Sequence, residues 1–370
     1  MLIYHHSQDL TYRRPFGAAE ICSHVVLAID ATDTAAVFVR LWRDGVGETL
    51  VPMEQDGTRF TAELEMPEEG CLLWYYFLIT GTDGRQYRYG NRRDGLGGEG
   101  CLYENEPPSY QITVYRPAPV PAWYKDALVY QIFPDRFARG ADWRRRVQES
   151  AHPEGWRGPR RVIQEDWDDV PYYTRDETGA ITRWPFFGGT LEGVREKLPY
   201  LRSLGVTAIY LNPIFRAASN HRYDTADYLA VDPMLGDGAS FRALCRAARE
   251  QGISVILDGV FSHTGADSVY FDKFGNYGGH GAYACEDSPY REWYRFTPGK
   301  EPGYECWWGV TDLPNVEETN PSYEAFICGE GGVVRYWLAE GAAGWRLDVA
   351  DELPDPFIAQ VRRAVKAENP

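Results

Sequence analysis

The sequence predicts an α/β protein in which an antiparallel β-sandwich precedes a parallel sheet, the sheet built from a βαβα series and either doubly wound or closed as a (β/α)8 barrel. Three observations predict it. From about residue 20 to 115 the runs VVLAI, AVFVRLW, RFTAELEM, CLLWYYFLIT and YQITVY are short, apolar or alternating, and Asp-Gly turns separate them at 44-45, 56-57 and 83-84. RPAPVPAW, residues 116 to 123, places three prolines in eight residues and reads as a stiff linker. Beyond it ALVYQIF (127 to 133), VTAIYLNP (206 to 213), ISVILDGV (253 to 260) and GWRLDVA (344 to 350) are continuous apolar runs that end in polar residues. Strands of that kind are expected to be buried on both faces of a parallel sheet. The domains are therefore expected at 1-117 and 122-370.

Helical periods lie between those strands. Leu191, Val194, Leu198, Leu201 and Leu204 share one face, with Thr190 as N-cap and Gly205 just past the end. Ser240, followed by Phe241, Leu244, Ala248 and Gly252, repeats the grammar and makes Ser240 the expected cap. Asn320-Pro321 can start a further helix, with a break or loop expected at Gly329, Gly331 and Gly332. The connection from 259 to 343 is longer than a βα unit needs, and its front part, about 264-318, is expected to be an inserted lobe.

Composition narrows the partners. A formal net charge of -16 opposes nucleic acid and anionic membrane surfaces, so a neutral small molecule is the easier ligand. MLIYHHSQDL lacks the basic and apolar regions of a leader, and no apolar run is long enough to span a bilayer, so a cytoplasmic location is expected. Seven cysteines without a CxxC pair or a close Cys/His cluster indicate neither a disulfide framework nor a zinc site, and buried free thiols are expected.

In a parallel barrel the C-terminal strand ends form the active face, so the polar clusters at Gln131 to Arg136, Asn212, Asp258 to His263, and Arg346 with Asp348 should converge. Arg346 and Asp348 are two residues apart in a strand and point the same way, which lets the guanidinium favour the ionised carboxylate that a nucleophile requires.

Six ordered stretches, FPDRF (133 to 137), FFGG (186 to 189), SNHRYDTADY (219 to 228), DGVFSH (258 to 263), CWWGVTDLPNVEETNP (306 to 321) and GWRLDVADE (344 to 352), resemble the alpha-amylase superfamily of glycoside hydrolases. The branch is similar to the cyclomaltodextrinases, neopullulanases and maltogenic amylases. The resemblance implies a starch-binding-like β-sandwich followed by the first half of a (β/α)8 barrel, about its first four strands, with the lobe after the third. It implies a retaining double displacement on α-glucosidic bonds of maltodextrins, cyclodextrins or pullulan, with Asp348 as nucleophile and Arg346 as its charge partner. Asp258 then holds the local hydrogen-bond network, His263 contacts a sugar hydroxyl, and Tyr223 stacks under the sugar to be cleaved. Trp307 and Trp308 offer a further sugar platform, with lobe packing as the other reading. An α-glucan oligosaccharide or polysaccharide is the expected partner, and a homodimer through the sandwich is the association that similar proteins suggest.

Three departures accompany the resemblance. The family takes its acid/base Glu from the end of the fifth strand, whereas this chain stops at Pro370; Glu317, Glu318 and Glu352 sit in the wrong motifs. The second carboxylate is thus expected in sequence beyond Pro370 and the 370-residue chain alone is expected to be inactive, with a non-catalytic α-glucan-binding homologue as the alternative. The calcium ligands of the branch are replaced by ARGADWRRR and Thr190, where a single Asp142 cannot supply six to eight oxygens, so no metal or other cofactor is expected, and Arg144 to Arg146 are expected on a solvated face. Ser262 stands where the family more often has Asn.

Overall fold

The computed structural model describes residues 2–150, 152, 154–177 and 179–369. It divides into two compact units, Met1–Val120 and Pro121–Pro370. In the first, a five-stranded and a seven-stranded sheet are found among the described residues. The long strands His24–Ala31, Thr34–Arg43, Arg59–Glu65, Cys71–Gly81 and Tyr110–Tyr115 fall on the five alternating runs. Their inward residues, among them Val25, Leu27, Val39, Phe60, Phe77 and Ile112, join in one core. Gly45, Gly57 and Gly84 have φ of 75°, 62° and 81°, the left-handed conformation that the second residue of these Asp-Gly turns requires.

His5 lies within that core, its ring packed edge-on or tilted against Tyr12, Tyr75, Phe77 and Tyr110. Its Nδ1 donates to the Ala28 carbonyl at 2.7 Å and its Nε2 accepts from the Tyr75 hydroxyl at 3.2 Å, which satisfies the neutral ring. Burial pushes the imidazole down to about 4, against the opposing pull of the Ala28 carbonyl.

The second unit is organised on four parallel strands, Val129–Ile132, Ala208–Leu211, Ser254–Gly259 and Gly344–Leu347, which neighbour one another in chain order. The two middle strands are almost wholly buried, but the outer two are not. Val129, Tyr130 and Gln131 are exposed in the first and Arg346 in the fourth, because these strands are the sheet's edges. Burial on both faces, expected for all four, thus holds for the middle pair alone. An apolar recess of about 630 Å³, lined by Trp123, Val129, Ile256, Trp345 and Val361 among others, opens on the same sheet.

Local chemistry explains the helices. Thr190 caps Leu191–Glu196 by accepting from the Gly193 N–H at 3.0 Å, and a break at Lys197 separates it from Leu198–Ser203. Leu191, Val194, Leu198 and Leu201 are buried, whereas Leu204 lies past the second helix and is 47% exposed, so it leaves the expected face. The next helix is Gly238–Glu250, three residues longer at its start than expected. Its cap is Asp237, not Ser240: the Asp237 carboxylate accepts from both the Ser240 N–H and its hydroxyl. Asn320 caps Pro321–Cys328 through the N–H groups of Ser322 and Tyr323, and the glycines at 329–332 separate it from Val333–Ala339.

In the segment 264–318, Tyr270, Phe271, Trp293, Tyr294 and Tyr304 belong to the same cluster as Ile209, Val255 and Leu257 of the parallel strands. Two further expectations change. Arg146 is only 8% exposed and binds Asp142, Asp237 and Ser240, so it fastens one helix to the cap of another while Arg144 and Arg145 face solvent. Of the seven free cysteines only Cys245 and Cys328 are buried; Cys22 and Cys101 are exposed.

Two outcomes follow. Asn320→Ala should lower stability by about 1 kcal/mol in chemical denaturation, the usual cost of an N-cap, and no loss would mean that the cap is redundant. His5 binds its proton near 6.5 when unfolded but near 4 when folded, so stability present above pH 6.5 is lost as pH falls from 6.5 to 4, on the order of 3 kcal/mol. Denaturation midpoints at pH 7.5 and 4.5 should fall further for the native protein than for His5→Gln.

Candidate active site

Two of the six motifs form a joint. The Asp135 carboxylate is fully buried and accepts from the N–H groups of Phe187 and Gly188 at 3.0 and 3.2 Å, and the Arg136 guanidinium lies over the rings of Phe133 and Phe187. A side chain at Gly189 would meet the Pro134 carbonyl oxygen at 2.0 Å, so glycine is required where the two segments touch.

A hydrogen-bonded chain crosses the C-terminal ends of all four parallel strands. Gln131 donates to Asn212 at 2.8 Å, Asn212 to the Tyr223 hydroxyl at 3.3 Å, and Tyr223 to Asp258 at 3.1 Å. Asp258 also accepts from the Tyr210 hydroxyl and from Arg346 Nη1 at 3.0 Å. The same Nη1 reaches Asp348 at 2.5 Å. Register produces this meeting: Asp258 and Arg346 are directly opposed on neighbouring strands, and Asp348 follows Arg346 on the same face. Burial pushes the Asp258 carboxyl up, opposed by its hydrogen bond from Tyr210 and by Arg346. Burial works against the Arg346 charge, yet Asp258 and Asp348 outweigh it and hold the guanidinium protonated.

Just after Asp348 the backbone enters the left-handed region at Val349, φ 41°, which is rare for a β-branched residue. The Glu352 N–H closes the resulting turn on the Val349 carbonyl at 2.8 Å.

Tyr223 is delivered by a rigid loop. Asp224 accepts from the N–H groups of Ala218 and Ser219 and from the Ser219 hydroxyl, and His221 Nδ1 accepts from the Tyr223 N–H at 3.1 Å. Beneath it the fully buried Arg222, at φ 61°, reaches the Asn220 carbonyl and buried Asp232, and Arg161 also pairs with Asp232 at 2.9 Å. Tyr223 itself is half-buried, and burial followed by the Asp258 charge raises its hydroxyl to about 12.

His263 is 2% exposed. Its Nδ1 meets the Ser262 hydroxyl at 2.9 Å, so the serine supplies a polar contact at the position of the expected amide. Its Nε2 is buried without a partner among the described residues. Burial lowers the imidazole to about 4, although Asp348 pulls the other way. Trp307 tilts against the His263 ring with centroids 5.9 Å apart. Trp307 and Trp308 both direct their indole N–H groups to Glu352, at 3.0 and 2.8 Å, and Trp308 is 81% exposed.

All seven residues singled out from the sequence therefore have a place: Asp258, Arg346, Asp348 and Tyr223 form one bonded cluster, and His263 stands against Trp307 with Trp308 beside it. Tyr210 escaped the sequence reading, and Glu352, weighed there only as an acid, was not read as a partner of the tryptophans. Tyr210 shares strand parity with Asn212, which was a usable signal; the indole contacts of Glu352 had none. Among the described residues no group of three or more His, Cys, Asp or Glu could hold a metal ion, and Asp142 is occupied by Arg146 and the Thr190 hydroxyl.

This parallel sheet, with its carboxylates and guanidinium at the strand ends, belongs to a barrel-enzyme class. The catalytic-domain model of the alpha-amylase family matches residues 131–368, and the chain belongs to that family. It is 37% identical over 406 residues to an amylopullulanase of Thermoanaerobacter thermohydrosulfuricus, covering 99% of this chain and 27% of that protein. It is 36% identical over 305 residues to neopullulanase 2 of Thermoactinomyces vulgaris, covering 80% of this chain and 46% of the relative. The solved structure of the type III pullulan hydrolase from Thermococcus kodakarensis superposes with a TM-score of 0.56 at 27% identity, over 100% of this chain and 60% of that one. The chain thus spans between a quarter and a half of the length of these curated relatives. No helix among the described residues is long and apolar enough to cross a membrane.

The site predicts a spectroscopic outcome. His263 should remain neutral at pH 5.5, with ring ¹⁵N shifts of an uncharged imidazole; a ring that titrates near 6.5 would show that it is not buried as described.

Proposed function

We propose that the chain carries the nucleophile cluster of a retaining glycoside hydrolase acting on α-glucosidic bonds of maltodextrins, cyclodextrins or pullulan. The observation that carries this is the single Arg346 nitrogen bonded to both Asp258 and Asp348 at the strand ends. In this reading Asp348 attacks the anomeric carbon, the bond to the leaving oxygen breaks, and a covalent glycosyl-enzyme forms that water then hydrolyses. Arg346 lies beside Asp348 before attack and remains beside the ester oxygen afterwards. His263, neutral, offers a hydrogen bond to a sugar hydroxyl, and Tyr223 offers its ring face to the sugar that reacts. Asp258 is the joint that fixes Arg346 and Tyr223 together.

The leaving oxygen must be protonated by a second carboxyl group, about 5 to 5.5 Å from the first in retaining enzymes. Glu317 is bonded to Arg295 and Thr319, and Glu352 to the two indoles, so neither is given that role. The two packed sheets of the first unit support its reading as a starch-binding-like β-sandwich, and the four parallel strands support the reading as half of a (β/α)8 barrel. The relatives named amylopullulanase and neopullulanase, and the solved pullulan hydrolase, support the substrate class.

Asp348→Asn in the intact protein should lower kcat on maltotetraose or pullulan on the order of 10³-fold or more while leaving binding measurable. Retained turnover would remove Asp348 from the mechanism. Saturable binding with no reducing ends released by the native protein would replace hydrolysis with glucan binding.

A further inference from the structure

Glu352 is tied to the nucleophile by sequence and by a turn, yet it does no work in the reaction as described. It lies four residues after Asp348, its N–H bonded to the Val349 carbonyl. Its two carboxylate oxygens each accept an indole N–H, Oε2 from Trp307 at 3.0 Å and Oε1 from Trp308 at 2.8 Å. These contacts join residues 44 and 45 positions apart, from two different connections of the barrel unit.

What the carboxylate holds is otherwise unfavourable. Trp308 has φ 49°, a left-handed conformation that side-chain-bearing residues seldom adopt, and it leaves 81% of its surface in solvent. Burial therefore does not fix this ring. Trp307 sits 6.3 Å from it at 56° and tilts on His263, which connects the pair to the nucleophile cluster. Since both indole donors are consumed by Glu352, the pair presents ring faces and edges rather than N–H groups to a ligand. Faces of that kind suit the C–H surface of a pyranose. Among the described residues the carboxylate accepts these two bonds and has capacity for further hydroxyl donors.

We propose that Glu352 is a positioning residue that holds Trp307 and Trp308 as an aromatic shelf for the apolar faces of glucosyl units next to His263, a role that rests on the hydrolase reading above. The shelf discriminates ligands by the number of stacked pyranose rings and little by hydroxyl pattern. Because the turn at Val349 carries both Asp348 and Glu352, the shelf and the nucleophile are set by one piece of backbone.

The test is a cycle of variants in the intact protein, assayed with maltotetraose. Glu352→Leu should raise KM about 10-fold with kcat within about 3-fold, and Trp308→Ala should do the same, with the double variant no worse than either alone. Glu352→Gln, which keeps one acceptor oxygen but turns its NH2 donor toward the other indole N–H, should recover only part of the loss. Effects that multiply in the double variant would overturn the latch, as would a fall in kcat at unchanged KM, which would put Glu352 at the reacting atoms. Calorimetric binding of maltotetraose to Asp348→Asn, with and without Glu352→Leu, separates the shelf from the hydrolase reading. Weakening by about the same factor sustains the shelf even if no variant turns over, and unweakened binding rejects it whatever the activity.

Discussion

One guanidinium nitrogen organises the site. Arg346 Nη1 is shared between Asp258, inside the sheet, and Asp348, at its rim. Two like charges brought to one locus repel, and burial penalises the inner one further; a fixed, always protonated group between them offsets both effects. Among the described residues, removing Arg346 would leave buried Asp258 with only its two tyrosine donors and no cation in contact. The rest of the cluster depends on this: Tyr210 and Tyr223 both direct hydroxyls to Asp258, and Asn212 and Gln131 extend the line to the first strand.

The same principle recurs beneath the site. Buried Asp232 is flanked by Arg161 and Arg222, and burial works to raise its carboxyl while the two guanidinium groups bring it below the usual range. That buried salt-bridge set supports the loop carrying Tyr223, so the aromatic ring is positioned by charge as well as by packing. The contrast with His263 is informative. It is buried without a compensating anion in contact, and it responds by staying neutral. A neutral ring can offer a hydrogen bond to a ligand without forming an ion pair with Asp348.

The segment between the third and fourth strands is held by packing rather than by charge. Its aromatic residues enter the common core, Tyr270 and Trp293 with Phe326 of the following helix, which anchors the segment at both ends. Being anchored, it can expose Trp308 at a strained position without unravelling. The exposed edges of the first and fourth parallel strands are the opposite case, since their unpaired backbone groups and apolar neighbours face outward.

By itself the sequence determined what depends on short range. Thr190 and Asn320 are caps because a hydroxyl or amide oxygen at that point satisfies N–H groups two or three residues on, and the Asp-Gly pairs make turns because glycine alone enters the left-handed region freely. Strand parity placed Arg346 beside Asp348, and the polar strand ends marked Asp258 and His263 as residues to bring together, while Tyr223 came from the family resemblance. Tertiary structure decided the rest. Asp237 displaced Ser240 as a cap because a carboxylate there also meets Arg146, 91 residues away, and Arg146 became buried for the same reason. Which strands are edges, which cysteines are covered and which partner Glu352 takes are set by long-range register and packing. No local pattern encodes the neighbour that a side chain meets only after the chain has closed on itself.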